Sequence, residues 1–343
     1  MKTILIAICT AYSSSMLAYT DSITYYQQLG VQQLQEKKYL QAEKNLLKSL
    51  QWDSSNVTTL QSIAEANIMM KRTTVALQYH TKIIKLQPNN NVALIQLAKL
   101  NFAHFKWTEA ITYGKQCIDK KIGTNMHYIV AKSYYQLEDY RNCSPYLKVA
   151  ATDEPTNADI PYTMANIWYN TNNPKQAISM YEIALKLDTT KVNWYLELAD
   201  LYNDDAQYPK AVHCYEQALL KGAPNDLNLQ TTVGLAYINA GEYKRGTDVL
   251  QKVILKKPMD KGLYDQMAFA FYEKKKYMDA AMWWDAIMQL DKNDAKTMYM
   301  IGMAFQKDGQ EDKGKKICDH AILMDPALQS LRKEQQMPGG QGL

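Results

Sequence analysis

The sequence predicts an all-α protein, a helical solenoid of about nine tandem helix-turn-helix units with a short helix at its C-terminal end. Similar sequence segments recur along the chain, as in AISMYEIALKLD (residues 177–188) and, 34 residues later, AVHCYEQALLKG (residues 211–222). Small residues return at two fixed places of each unit, and turn segments separate the apolar stretches. A period of this length exceeds that of any helix or strand, so the repeating element is a supersecondary unit.

The N-terminal residues 1–18 have the three parts of a secretory signal peptide. Lys2 precedes an apolar run over residues 4–12, and small residues follow before Ala18. We expect cleavage after Ala18, with Ser15 as the rival position. A membrane anchor is the alternative, but the run is shorter than the roughly 20 apolar residues that a bilayer requires.

Nine consecutive units follow, and each is expected to form two packed helices. The units start at Ile23, Val57, Asn91, Thr124, Ala158, Val192, Leu227, Lys261 and Ala295. The eighth place of every unit is Gly or Ala, and the twentieth is Ala, Gly or Cys. Small residues at both places let the two backbones approach closely, while larger residues at places seven, eleven and twenty-four fill the remaining space.

This pattern resembles the tetratricopeptide repeat family, which has small residues at places eight and twenty, an aromatic residue at eleven and proline near thirty-two. The resemblance covers residues 23–328 and implies a right-handed α-solenoid. Place eleven departs from the family in the first three units, where it holds Gln33, Asn67 and Asn101, and is aromatic from Tyr134 onward. We therefore expect the N-terminal third either to pack more loosely or to pair these amides with neighbours.

Two further local features are expected around the repeats. Pro145 falls within the second helix of the fourth unit, early enough to be tolerated with a local kink. After the ninth unit, ALQSLRKEQQ places Leu328 and Leu331 on one side, which predicts a capping helix over residues 329–337. Residues 338–343 are expected to be a flexible tail.

The residue pattern gives no indication of catalysis, a cofactor or a metal site. The five His residues form no HExxH arrangement or zinc spacing, and neither GxSxG nor a Gly-rich phosphate loop occurs. His213 and Cys214 are adjacent, but neighbours on a helix point in different directions. Four Cys after the signal permit disulfides in an exported chain, although buried thiols are favoured. We predict that the protein is not an enzyme.

The family resemblance instead implies a concave groove for a partner polypeptide, lined by places two, five, nine and twelve of each first helix. The predicted groove residues are Tyr128, Lys132, Tyr135, Tyr162, Asn166, Tyr169, Asn193, Asp200, Asn203, Thr231, Asp265, Tyr272 and Tyr299. Tyrosine offers a large contact area with few torsions to order, and asparagine can pair with an extended backbone. The chaperone-binding subtype requires Lys at place five, and no unit has one there.

Three hypotheses of function follow from these patterns. The first is a non-enzymatic scaffold or adaptor in the periplasm or cell envelope of a Gram-negative bacterium, without stable membrane insertion after signal cleavage. The second is an envelope glycan-binding module, in which tyrosines stack on sugars. The third is a lumenal co-chaperone, since Asn56 and Asn142 begin glycosylation sequons. A net charge of +4, without long runs of one sign, argues against a nucleic-acid partner.

Overall fold

The structure is a computed structural model that describes residues 23–334. The predicted signal peptide and C-terminal tail lie outside these residues. Every regular element within them is a helix, and the helices follow one another in tandem, so the predicted fold class is confirmed. The chain separates after Asn172 into two compact units, which we call the N-terminal unit and the C-terminal unit.

The N-terminal unit contains the first four repeats and the first helix of the fifth. Its helices are α1 (residues 23–35), α2 (Tyr39–Trp52), α3 (Val57–Met69), α4 (Thr73–Leu86), α5 (Asn91–Ala103), α6 (Trp107–Asp119), α7 (Met126–Gln136), α8 (Tyr140–Asp153) and α9 (Asp159–Asn170). Helices adjacent in the chain pack together from α2 to α9, and α5 and α9 also contact α7. The first helices of repeats three to five therefore form a row.

The C-terminal unit begins with the second helix of the fifth repeat. Its helices are α10 (Pro174–Leu187), α11 (Val192–Asp204), α12 (Tyr208–Leu220), α13 (Leu227–Asn239), α14 (Tyr243–Lys256), α15 (Lys261–Glu273), α16 (Tyr277–Leu290), α17 (Ala295–Lys307), α18 (Glu311–Met324), a 3-10 turn (Pro326–Leu328) and α19 (Gln329–Glu334). No helix within residues 23–334 combines the length and hydrophobicity needed to cross a membrane.

The small residues of places eight and twenty are buried in every repeat, as the register predicts. They are Gly30, Ala64, Ala98, Ala131, Ala165, Ala199, Gly234, Ala268 and Gly302 at place eight, and Ala42, Ala76, Ala110, Cys143, Ala177, Ala211, Gly246, Ala280 and Gly314 at place twenty. The seventh repeat shows how closely the backbones approach: a Cβ added at Gly246 would lie 2.7 Å from the carbonyl oxygen of Gly234. A larger residue there forces the helices apart.

The ends of the first helices repeat the same local chemistry. In several repeats the residue before the helix is Asn or Asp, and its side chain accepts the backbone N–H three residues later, as Asn56 does from Thr59. The turn that follows places one residue in the left-handed region, for example Lys37, Phe105 or Gly241. In the capped repeats, these two signals mark where the first helix begins and ends.

The unusual residues at place eleven are paired with neighbours. The Nδ2 of Asn67 donates to Glu43 Oε1 at 2.8 Å, and Asn101 donates to the carbonyl oxygen of Leu97 at 2.8 Å. Gln33 accepts from Asn45 at 2.9 Å. Trp168, at the same place of the fifth repeat, is 40% exposed and thus does not fill the core as tyrosine and phenylalanine do in later repeats.

Pro145 does not interrupt α8, which runs from Tyr140 to Asp153. It lies in the second turn of that helix. A short helix, α19, begins at residue 329 after the 3-10 turn, and residues 335–337 of the predicted capping helix lie outside the described part of the chain.

Candidate functional site

A group of aromatic residues lies at the surface of the N-terminal unit, where rings from three helices and a turn contact one another. Tyr128 of α7 meets the edge of Phe102 of α5, with ring centroids 6.4 Å apart. Phe102 packs against Trp107 of α6 at 5.7 Å, and Trp107 packs against Phe105 of the α5–α6 turn at 5.5 Å. These edge-to-face contacts hold the rings in fixed orientations.

Phe105 is the most exposed member of this group. Its side chain is 74% exposed and its backbone is left-handed, with φ of 59°. Other repeats place Gly, Lys, Asn, Glu or Ala at this turn. A bulky residue with positive φ is strained by about 1 kcal/mol or more, so the fold itself gains little from phenylalanine here.

Tyr135 and Tyr140 extend the aromatic group along the fourth repeat. Their ring centroids are 6.0 Å apart, and the Tyr140 hydroxyl accepts a hydrogen bond from Asn170 Nδ2 at 2.9 Å. Tyr128 and Tyr135 lie two turns apart on the same face of α7. We call the set Phe102, Phe105, Trp107, Tyr128, Tyr135 and Tyr140 the aromatic surface.

Lys132 lies between Tyr128 and Tyr135 on the same face of α7. Its ammonium nitrogen is 4.9 Å from the centroid of the Tyr135 ring and 5.8 Å from that of Tyr162, and donates to Thr163 Oγ1 at 2.9 Å. Burial lowers the pKa of Lys132, and the negative charge of Asp159 partly opposes this shift. The ammonium group is thus held by rings and a hydroxyl in a partly dehydrated place.

The structure brings the predicted groove residues of the fourth and fifth repeats together in the N-terminal unit. Tyr162 and Asn166 are half-buried on α9, and Asn166 Nδ2 donates to the carbonyl oxygen of Tyr162 at 3.0 Å. Tyr169, one turn further along the helix, is 57% exposed. Together with Lys132, they place polar and aromatic groups beside the aromatic surface.

Sequence reasoning missed Phe102, Phe105 and Trp107. Phe102 occupies place twelve of the third repeat, where a signal was present because this is one of the places assigned to the groove. Phe105 and Trp107 lie in the turn and at the start of α6, outside the places considered. A phenylalanine at a turn position that favours glycine was the available clue.

Several predicted groove residues of the C-terminal unit bind internal partners. Asp200 accepts from the Tyr215 hydroxyl at 2.5 Å, and Asp265 accepts from Trp284 Nε1 at 2.9 Å. Thr231 donates to the carbonyl oxygen of Leu227 at 2.8 Å. The two aspartates thus join neighbouring helices, whereas the Thr231 bond stays within α13.

The remaining predicted groove residues of this unit either pack against other aromatic rings or lie partly in solvent. Tyr272 packs against Tyr277 and Trp284, with ring centroids 5.1 Å and 5.7 Å apart. Asn193 is exposed and Asn203 is half-buried. Tyr272 therefore packs within the unit, whereas Asn193 and Asn203 still reach solvent.

Tyr299 corrects the prediction that place five of the last repeat lines a groove. Its side chain is only 1% exposed and lies in a cluster with Met303, Leu328 and Leu331. Leu328 and Leu331 come from the C-terminal segment formed by the 3-10 turn that ends the ninth repeat and by α19. This segment covers the face that a further repeat would otherwise cover, so Tyr299 becomes a core residue.

The two units also contain cavities beside their second helices. One of about 600 Å³ in the N-terminal unit is lined by residues that include His127, which pairs with Asp153 at 2.8 Å. Another, of about 640 Å³ in the C-terminal unit, is lined by His213 and Cys214 among others. Burial raises the pKa of Cys214 to about 11, so this thiol stays protonated at neutral pH.

Neither metal ligation nor disulfide bonding is found among the described residues. Cys117, Cys143, Cys214 and Cys318 are buried free thiols. Within residues 23–334, no three His, Cys, Asp or Glu side chains are placed to hold a metal ion.

Comparison with protein families matches residues 295–328 to the model described as tetratricopeptide repeat. Among solved structures, the chain is similar to YrrB, a TPR protein with an unusual peptide-binding site, at 20% identity and a TM-score of 0.38, covering 55% of this chain and 98% of YrrB. It is also similar to PilW, a type IV pilus biogenesis factor, at 13% identity and a TM-score of 0.38, covering 62% of this chain and 98% of PilW.

PilF of Pseudomonas aeruginosa is similar at 17% identity and a TM-score of 0.29, covering 70% of this chain and 94% of that protein. A comparison with curated protein sequences finds no match.

Proposed function

We propose that this chain, a tetratricopeptide repeat protein, is a non-enzymatic adaptor that holds a segment of a partner polypeptide on the aromatic surface of its N-terminal unit. One observation carries the proposal: rings from α5, α6 and α7 form a connected group whose outermost member, Phe105, is largely exposed. Tryptophan and tyrosine are the residue types that dominate binding energy at protein interfaces.

The local energetics at Phe105 favour a binding role for its ring over a folding role. Phe105 adds strain at its turn and buries little of its own side chain. Water around exposed rings is released when a partner covers them, which contributes roughly 25 cal/mol per Å² of apolar surface. A partner therefore gains contact area that the folded chain by itself leaves in water.

The proposed location is the periplasm or cell envelope of a Gram-negative bacterium. Its support is the signal-like pattern of residues 1–18, with a charged start, a short apolar run and small residues before Ala18. Mass spectrometry of protein recovered from the envelope should give a mature N-terminus close to Tyr19. Recovery of an intact Met1 from a cytoplasmic fraction would contradict the proposed location.

Selection from a displayed peptide library tests the binding function directly. The mature chain should enrich peptides, and Phe105→Ala with Tyr128→Ala should abolish the enrichment. Leu255→Ala is the matched control, because Leu255 is also a large exposed apolar residue but lies on α14 of the C-terminal unit. Failure to enrich any peptide, together with binding to envelope glycan, would replace the adaptor by the glycan-binding alternative.

A further inference from the structure

We propose that the partner segment is acidic and that Lys99 and Lys132 bind its Asp or Glu side chains; this rests on the proposed function. Both lysines occupy place nine of a first helix, Lys99 on α5 and Lys132 on α7, in consecutive repeats. Both are half-buried, and α5 packs against α7 in the N-terminal unit. They lie on helices that carry the aromatic surface.

Neither lysine has an ion-pair partner among residues 23–334. Lys261 shows the contrast in the C-terminal unit, since it is also half-buried but pairs with Asp291 at 2.7 Å. At Lys132, one hydroxyl and two rings contact the ammonium group. A partly dehydrated ammonium gains most from a carboxylate because the carboxylate compensates for lost water.

The short extent of the positive charge at Lys99 and Lys132 limits which partners can bind there. Place nine holds Glu65 in the repeat before Lys99 and Asn166 in the repeat after Lys132. Two lysines with a glutamate on one side and an asparagine on the other can bind a short acidic stretch of a partner. A nucleic acid or another long polyanion requires a wider field of positive charge.

The neighbouring rings define the rest of the segment. Phe102 and Tyr135 lie three residues after Lys99 and Lys132, respectively, on the same helix faces. Large apolar side chains flanking the acids can therefore cover the rings while the acids reach the lysines. The preferred segment has one or two acidic residues between large apolar residues.

A peptide library displayed inside a carrier loop, so that no peptide has a free C-terminus, tests this proposal. The mature chain should select peptides with Asp or Glu between large apolar residues. Lys99→Gln with Lys132→Gln should still select apolar peptides but lose the acidic preference. Lys115→Gln with Lys148→Gln is the matched control, because these lysines are exposed on the second helices of the same two repeats.

The affinity of a selected peptide then measures the charge contact. Changing its Asp or Glu to the amide should weaken binding to the unaltered chain by about tenfold, corresponding to about 1.4 kcal/mol. The same change should have little effect on binding to Lys99→Gln with Lys132→Gln. Replacing both lysines by arginine should keep the acidic preference, which separates loss of charge from loss of folding.

Each contrary result is distinguishable. An acidic preference that survives the Lys99→Gln and Lys132→Gln changes overturns the role of these lysines. Selection of apolar peptides without acids by the unaltered chain overturns the proposed partner but leaves the adaptor function intact. A second library displays peptides with free C-termini. If only the selection from this second library depends on the two lysines, they bind a C-terminal carboxylate and the proposed Asp or Glu contact is wrong. If no peptide is selected from either library, the proposed function fails as well.

Discussion

The N-terminal and C-terminal units share one repeat register but place their aromatic residues differently. In the C-terminal unit, place eleven holds buried aromatic residues: Tyr202, Tyr237, Phe271 and Phe305. In the first three repeats the same place holds Gln33, Asn67 and Asn101, while Phe102, Phe105 and Trp107 lie in the aromatic surface. The difference shows that packed helix pairs accept either an aromatic or an amide side chain at place eleven, provided that the polar groups have hydrogen-bond partners.

Polar groups stabilise the two units in correspondingly different ways. In the C-terminal unit, aromatic side chains of the core donate to carboxylates on the neighbouring helix, as Trp284 does to Asp265 and Tyr202 to Glu182. In the N-terminal unit, Asn101 bonds a carbonyl of its own helix. His80 is only 2% exposed and neither of its ring nitrogens has a hydrogen-bond partner among the described residues.

The largest expected effect tests whether aromatic residues carry stability in one unit and binding in the other. Trp284→Ala removes a fully buried side chain and leaves Asp265 without its donor, so it should lower the free energy of unfolding by about 3–5 kcal/mol. Phe105→Ala should change it by less than about 0.5 kcal/mol because the ring is exposed. Denaturant unfolding measures both. Equal losses would mean that the two units use aromatic residues alike.

Low pH should destabilise the N-terminal unit more than the C-terminal unit, because the N-terminal unit contains the buried His80. Burial lowers the pKa of this imidazole from 6.5 to about 4. Between these pH values the unfolded chain binds more protons than the folded chain, so stability is full above pH 6.5 and falls as pH drops toward 4, by about 3 kcal/mol in total.

Hydrogen exchange of the N-terminal unit between pH 7 and 4 measures this loss. His80→Leu should flatten the pH dependence of α3 and α4, while α15 and α16 serve as the internal reference. An unchanged profile in His80→Leu would show that acid acts elsewhere.

Substitutions at place twenty, which holds small buried residues in both units, should destabilise the two units equally. Ala76→Leu in α4 and Ala211→Leu in α12 force extra methylenes between two close helices at place twenty. Each should lower the free energy of unfolding by about 1–3 kcal/mol. Thermal melting of both variants checks this, with Lys44→Ala on the exposed side of α2 as a neutral control. A loss in only one unit would show that the shared register does not bring the backbones equally close.

The smallest expected effects have opposite signs in the two units. Tyr215→Phe removes the hydroxyl that donates to Asp200 and should lower stability by about 1 kcal/mol. Asn101→Leu removes an amide whose acceptor lies within its own helix and puts methyl groups where its two polar atoms were, so stability should rise slightly. Differential melting of the purified variants resolves the two signs. Destabilisation by Asn101→Leu would show that the buried amide contributes to packing of the N-terminal unit.

The sequence by itself predicted the repeat boundaries and the core register because both depend on local chemistry. Gly and Ala at places eight and twenty are buried as predicted, since only small side chains fit where two backbones meet. The groove residues were harder to predict from their places. Tyr299, Asp200 and Asp265 occupy places of the same kind as Tyr128 and Lys132, yet Tyr299 is buried and the two aspartates accept from aromatic side chains of the neighbouring helix.

Repeat periodicity determined where each helix lies and which face it buries, because these follow from side-chain size and from turn residues close in sequence. Only the tertiary structure decided which surface side chains remain available for a partner. Phe102 meets Tyr128 of the next repeat, and Leu331, which follows the last repeat, packs against the cluster that contains Tyr299. Such contacts join residues about one repeat apart, where the outcome depends on which neighbour occupies the space, and no single repeat contains that information.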